Sequence, residues 1–202
     1  TLSIFVKVLL VQPPIQDFYH TPIRTQPIGL AYLASSLQSE GHDVEILDCR
    51  TGRKREIPIP PELSYLKEFY PFNDRSPFAL YRGYYHFGMG WEEIRHSIVQ
   101  SNADVCGISS GFTPYHGEAL KVADMVKAWD SRMIVIMGGA HVSADPVGVL
   151  QSSLVDYAVA GEGERRLPLL LKAIAHNGSA AALEGVGFRR NGEITVSTAD
   201  SF

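Results

Sequence analysis

The sequence predicts an α/β fold in which a doubly wound parallel sheet of about five strands ends in a C-terminal β-hairpin. Three observations predict it. Short apolar, β-branched runs alternate with segments whose apolar residues recur at helical spacing, the pattern of strand–helix–strand units. Each apolar run ends in a loop of small or polar residues, as at the carboxyl edge of an open sheet, where such folds bind ligands. Finally, Asn191-Gly192 stands between two strand-like runs, and Asn-Gly is the strongest short signal for a hairpin.

Ser3 to Val11 reads as the first strand, stopped by Gln12-Pro13-Pro14 because proline cannot continue a central ladder. A polar, proline-rich loop carrying His20 leads to Pro27. Leu30, Leu33, Ala34 and Leu37 then mark a helix, with Pro27 suited to its first turn and Gly41 to its stop. Residues 44–48 form the second strand. Residues 50–90 break the alternation with five prolines and many aromatics, among them Tyr65, Phe69, Tyr70, Phe72, Phe78, Tyr81, Tyr84, Tyr85 and Phe87. A structureless loop of that length does not suit a compact domain, so this segment is an insertion with a short helix near 62–70. Its aromatics either cap the domain's own core or face a ligand or partner domain.

Regular alternation resumes with a helix marked by Trp91, Ile94 and Ile98, followed by a strand at 104–108 with Cys106 in the core. A helix spans 114–129, a strand 133–137, a short helix opened by Asp145-Pro146 reaches about 152, and a strand covers 156–160. The helix from Glu164 to His176 stops at Asn177-Gly178, and the hairpin pairs 186–190 with 193–197.

Apolar residues make up 45% and charged residues 20% of the 202, enough to build one sizeable core. A net charge of −4 and the isolated Arg53-Lys54-Arg55 cluster, read as a solvated loop, speak against a nucleic-acid partner. The two cysteines, Cys49 and Cys106, supply neither a disulfide framework nor a Cys-based metal site. No apolar stretch is long enough to span a bilayer and no signal peptide is evident, so a cytoplasmic protein is expected. A start at Thr1 is the expectation for a cut terminus.

Four strand-end loops carry the candidate site: Gln12-Pro13-Pro14, Ser109-Ser110-Gly111-Phe112-Thr113, Gly138-Gly139-Ala140-His141 and Gly161-Glu162-Gly163-Glu164. Glycine, lacking Cβ, admits a bulky group close to the backbone, and these loops offer N–H groups, hydroxyls and carboxylates to a large ligand rich in amides and hydroxyls. Neither Gly-x-Gly-x-x-Gly after the first strand nor Gly-x-x-x-x-Gly-Lys-Ser/Thr occurs, so the phosphate-cradling devices of nucleotide sites are missing. His141 either contacts the ligand or caps the turn that follows. Glu162 and Glu164 either contact it or favour a helix N-terminus, where the dipole suits a carboxylate.

These residues resemble the cobalamin-binding N-terminal domain of the class B, cobalamin-dependent radical S-adenosylmethionine enzymes. The likeness runs through Gln12-Pro13-Pro14, the helix from Pro27 to Ala34, residues 40–44 and 87–94, Val105 to Ser110, Gly138 to His141, and Asp156 to Glu164. It implies a Rossmann-like, flavodoxin-type sheet over residues 1–202, with the insertion at about 50–90. Ser109 and Gly138-Gly139 fit the second and third motifs of cobalamin-binding domains; Gly111 replaces the Leu of the second. The first motif, Asp-x-His-x-x-Gly, is absent, with Gln12-Pro13-Pro14 in its place. The resemblance therefore implies cobalamin held with both its base and any histidine off the cobalt. It further implies a downstream radical S-adenosylmethionine barrel as partner, binding S-adenosylmethionine and a 4Fe-4S cluster through a three-cysteine motif that this chain lacks. Methyl transfer or a related radical reaction would need that partner. The alternative from another class is a non-catalytic cobalamin-sensing or degenerate docking module of the same fold.

Overall fold

In the computed structural model, residues 6–18, 26–69, 83–176 and 180–197 are described. The loop carrying His20, the expectations placed on Tyr70, Phe72, Phe78 and Tyr81, and the stop at Asn177-Gly178 lie outside these residues. A seven-stranded sheet forms the centre. Its parallel part comprises β1 (Lys7–Gln12), β3 (Asp43–Asp48), β6 (Val105–Ser109), β7 (Ile134–Gly138) and β8 (Tyr157–Val159). The spatial order is β3-β1-β6-β7-β8, extended at the far edge by the antiparallel hairpin β9 (Val186–Arg190) and β10 (Glu193–Val196). Counting only the parallel strands, this is the order 2-1-3-4-5 of the flavodoxin-like fold, as expected. Asn191 and Gly192 both take positive φ, 51° and 86°, which the tight hairpin turn requires.

Helices α1 (Ile28–Ser39) and α7 (Gly163–Ala175) cover one face; α3 (Trp91–Ser101), α4 (His116–Trp129), α5 (Ala140–Ala144) and α6 (Pro146–Gln151) belong to the other side. The sheet splits the core accordingly. Leu10, Leu30, Leu37, Ile136, Val159, Leu167, Leu170 and Leu171 pack on the α1/α7 side. Leu9, Val11, Ile94, Ile98, Cys106, Val122, Val126, Val135 and Met137 pack on the other. Successive strand residues point to opposite faces, so Leu9/Leu10 and Ile136/Met137 divide between the two cores. Asp145 opens α6 as expected, its Oδ1 accepting the Gly148 N–H at 2.8 Å. Burial holds the Cys106 and Cys49 thiols neutral, pushing both pKa values up to about 12.

A second sheet, unforeseen from the sequence, hangs from the ends of β1 and β3. It pairs β2 (Ile15–Asp17), β5 (Tyr84–Gly88) and β4 (Arg53–Ile57) in antiparallel order β2-β5-β4. Arg53-Lys54-Arg55 is thus an exposed strand rather than a loop. Its alternation is hidden because the residues are charged on both faces; Lys54 Nζ lies 3.6 Å from the centre of the Tyr85 ring. Near 62–70 the chain makes a short 3-10 turn, Pro61–Leu63, and a single helical turn, α2 (Leu66–Phe69). The buried aromatics Tyr84 and Phe87 serve this small sheet, Tyr84 meeting Phe18 edge-on at 4.9 Å.

The small sheet is anchored by polar contacts at its buried side. His86 is 3% exposed. Its Nε2 lies 2.7 Å from the Met89 carbonyl, which can only accept, so Nε2 carries the proton. Nδ1 then accepts from Gln16 Nε2 at 3.1 Å. The Tyr115 hydroxyl, just past β6, donates to Asp17 Oδ2 at 2.5 Å and ties β2 to the main sheet.

A glycine-notched cavity at the candidate cofactor site

Between β1 and β6 the order of the parallel strands reverses direction, and a crevice opens there at their carboxyl ends. It contains a cavity of about 450 Å³, within the usual size of a ligand pocket. The strands contribute two rows of residues on the α1/α7 face, set two positions apart. The inner row is Leu10, Gly107 and Ile136, in register across β1, β6 and β7. The rim row runs from Gln12 through Ser109 and Gly138 to Val159, of which the last three are in register. Gly107 lies between two large aliphatic side chains, and Leu10 leans over it. A Cβ placed on it would come within 2.8 Å of Leu10 Cδ2. Leu30 and Leu33 of α1 and Leu167 of α7 form the walls.

Of the residues expected from the sequence, Gln12, Ser109, Gly138, Gly139, Gly161, Glu162, Gly163 and Glu164 line this cavity. Gly138 has room: a Cβ there would meet only Val159 O, at 3.5 Å. Gly139 does not, since it sits at φ 118° and a Cβ would lie 2.6 Å from Ser110 O. Glu162 is the N-cap residue of α7 but its side chain makes no capping hydrogen bond. Gln12 is buried and faces Arg50; with its amide oxygen toward the guanidinium, it accepts from Nε at 3.0 Å and Nη2 at 2.7 Å. Arg50 Nε also lies 3.3 Å from the Pro13 carbonyl, so the first loop is braced from the end of β3.

The other expected residues lie beside the cavity rather than on its wall. Pro13 and Pro14 are buried where β1 passes into β2. Ser110 is buried and binds neighbouring loops: its N–H donates to Gly138 O at 2.7 Å and its carbonyl accepts the His141 N–H at 3.2 Å. Its hydroxyl lies 3.1 Å from His116 Nδ1. Gly111, Phe112 and Thr113 form the crest of the loop after β6, with Phe112 64% exposed. Ala140 and His141 begin α5, a helix the sequence did not announce behind Gly138-Gly139. His141 Nδ1 meets Thr113 Oγ1 at 3.0 Å, and its ring lies 4.3 Å from that of His116. His141 therefore links the two central loops.

Sequence reasoning stopped at the strand ends and missed Leu10, Gly107, Ile136, Leu33, Leu167 and Arg50. The signal was present for three of them. Stepping back two residues from Gln12, Ser109 and Gly138 stays on the same face of the strand and arrives at Leu10, Gly107 and Ile136. A glycine inside a strand is itself a mark of close approach.

Burial depresses the pKa of His86, and burial followed by the neighbouring His141 depresses that of His116. Both bind a proton less readily in the folded protein than in the unfolded chain, where a histidine titrates near 6.5. The unfolded chain thus binds more protons below that pH, and stability falls as pH drops from 6.5 toward the depressed folded values. Thermal melts between pH 5 and 8 are expected to be flat above about 6.5 and to fall below it. His86→Gln is expected to remove part of that slope.

The crevice sits where an open α/β sheet binds ligands, and residues 83–171 match the family model described as B12 binding domain. In fold the chain is similar to part of radical S-adenosylmethionine enzymes solved with cobalamin bound. Over 198 residues it is 28% identical to cytidylyl-2-hydroxyethylphosphonate methyltransferase of Streptomyces wedmorensis, covering 95% of this chain and 33% of that protein. It is 26% identical over 192 residues to an uncharacterized methyltransferase of Pyrococcus horikoshii, covering 94% and 34%. The chain thus spans about a third of the length of these curated relatives.

Two solved structures share the fold. The radical S-adenosylmethionine methyltransferase TsrM from Kitasatospora setae, with cobalamin and a 4Fe-4S cluster bound, aligns with a TM-score of 0.65 at 21% identity, over 98% of this chain and 30% of that one. The cobalamin-dependent S-adenosylmethionine radical enzyme OxsB, with aqua-cobalamin and S-adenosylmethionine bound, aligns with a TM-score of 0.66 at 17% identity, over 99% and 23%. Among the described residues no helix is long and apolar enough to cross a membrane.

Proposed function

We propose that residues 1–202 form one cobalamin-holding domain, with its insertion at about 50–90, that serves a radical S-adenosylmethionine barrel in a cytoplasmic enzyme. The observation that carries this reading is the glycine-notched cavity at the crevice where the strand order reverses. Gly138 leaves room at the rim, and Gly107 lets the Leu10 side chain lie close over β6 so that the cavity stays open beside it, as a nucleotide arm requires. The four strand-end loops supply the rest. Ser109 presents a hydroxyl at the rim, Gln12 and Arg50 an amide and a guanidinium, and Glu162 and Glu164 carboxylates for amide donors. Ser110, Thr113 and His141 position the two central loops through the contacts described above.

When bound, cobalamin would supply a methyl group or a related cobalt-centred reaction to a partner's radical chemistry. The S-adenosylmethionine and 4Fe-4S cluster belong, in this reading, to that partner. The two cysteines here are buried and neutral, which suits a chain that holds one cofactor and leaves the cluster elsewhere.

Reconstitution with hydroxocobalamin followed by desalting tests the reading. Near-stoichiometric corrin absorption is expected, and its loss would leave only a docking module. Electron paramagnetic resonance of the cobalt(II) form is expected to lack nitrogen splitting; a nitrogen-ligated signal would refute the base-off, histidine-off state.

A further inference from the structure

The strand-end loops are not braced alike. Arg50 holds the loop after β1, and the backbone of Ser110 joins the loops after β6 and β7. The loop after β8 has less support of its own. β8 is three residues long, Gly161 follows it at φ 71°, and the Glu162 side chain makes no capping hydrogen bond at the start of α7. Two side chains hold this loop. From α7, Arg166 Nη1 donates to the Ala160 carbonyl at 2.9 Å. From α5, Ser143 Oγ accepts the Gly161 N–H at 2.8 Å, across 18 residues of chain. The same hydroxyl donates to the Gly139 carbonyl at 3.1 Å. A serine bonding back to the carbonyl four residues earlier is ordinary in a helix. The second bond is not: among the described residues the Gly161 N–H has no other acceptor. One oxygen atom therefore joins the Gly138-Gly139 loop to the Gly161–Glu164 loop, and both loops line the cavity.

Resting on the cobalamin reading above, we infer that Ser143 is a positioning residue for the cofactor, whose hydroxyl fixes the loops after β7 and β8 as one wall before the corrinoid arrives. Loops ordered in advance need not be ordered on binding, and the entropy not lost at that moment appears as affinity. Ser143 does not itself line the cavity, so it acts through Gly139 and Gly161 rather than by touching the ligand. The fold does not depend on it. Ser143 is exposed, and water can take the place of its hydroxyl at both partners in a Ser143→Ala protein.

The test compares the parent 202-residue chain with Ser143→Ala and Ser143→Thr. Each is titrated with hydroxocobalamin, followed for cofactor dissociation, and measured without cofactor for melting temperature and amide hydrogen exchange. Threonine keeps the hydroxyl, which can bond the same carbonyl from within a helix, and the exposed position accepts its methyl group. Ser143→Ala is expected to bind roughly five- to tenfold more weakly, the worth of one hydrogen bond, through faster dissociation. Exchange at the Gly161 amide is expected to speed up, while the melting temperature stays within about 4 °C of the parent. Ser143→Thr is expected to restore both affinity and exchange. Parent-like affinity in Ser143→Ala, unchanged exchange at Gly161, or weakened binding that threonine does not restore overturns the inference while leaving the cobalamin reading intact. Failure of the parent itself to bind hydroxocobalamin refutes the cobalamin reading, and the inference falls with it.

Discussion

Gly107→Val is expected to abolish cobalamin retention while leaving a folded protein. Gly107 lies in β6 between Leu10 and Ile136 on the cavity wall, and its missing side chain lets Leu10 lie against the strand. The first atom of a valine there would approach Leu10 Cδ2 to 2.8 Å, the tip of a flexible side chain that can turn aside. Overpacking of this kind costs about 1–3 kcal/mol, which a domain of this size tolerates. The ligand cannot turn aside in the same way, because the three added carbons and the displaced Leu10 side chain narrow the cavity its base would take. Affinity is expected to fall roughly a hundredfold or more, from apolar burial lost together with steric exclusion. Circular dichroism and a corrin spectrum after desalting, run on the same sample, separate the two effects. Gly117→Ala is the control, since nothing lies within 4 Å of a Cβ at that exposed position of α4 and it does not touch the cavity. It should retain cofactor like the parent. A Gly107→Val protein that holds cobalamin normally would rule out this cavity as the binding path.

Gly139→Ala is expected to strike the fold itself. Gly139 holds φ 118° and ψ −179°, a region open essentially to glycine alone. A Cβ there would also press on the Ser110 carbonyl at 2.6 Å, backbone against backbone, with no side chain to yield. That carbonyl accepts the His141 N–H, so the strain spreads to both central loops. Strain and clash together are expected to cost roughly 2–4 kcal/mol. For a chain of this length that lowers the melting temperature by about 5–12 °C. Gly138→Ala, one residue earlier, should change it little, because its Cβ meets only Val159 O at 3.5 Å. Equal melting temperatures for the two alanine variants would show that the Gly139 backbone relaxes without cost.

The contrast between these two glycines shows what the sequence disclosed and what it withheld. Gly138-Gly139 was conspicuous as a pair after an apolar run, but one glycine lines the cavity with room to spare and the other is demanded by its backbone. Dihedral angle and close approach separate them, and neither is written in residue type. The parallel strands, their order of appearance and the terminal hairpin were legible because apolar runs and the Asn-Gly turn are local signals. Strand limits shifted by about a residue at an end, as with β8 at Tyr157–Val159, since fraying at strand ends depends on partners.

The second sheet was not legible. Its strands come from three places: Ile15–Asp17 beyond Pro13-Pro14, the charged Arg53–Ile57, and the aromatic Tyr84–Gly88. Each is short, and none alternates cleanly, because the two edge strands carry half-buried or charged side chains. Likewise Arg50 carried no motif. Only the fold of the chain after β3 brings its guanidinium to Gln12 and Pro13. The inner row of the cavity was hidden for another reason: Leu10 and Ile136 read as ordinary core and in fact belong to the core of that face.

The placement of β1 between β3 and β6 bears on how the pocket comes into being. The Lys7 N–H donates to Asp104 Oδ2 across a separation of 97 residues. Half of the cavity wall is therefore synthesised near the start of the chain and must wait for a partner far along it. Loops of that span close at a modest entropic cost but late in the sequence of events. A ribosome-bound stretch ending before β6 has no receptacle to offer, so cofactor loading is a step that follows completion of the central ladder.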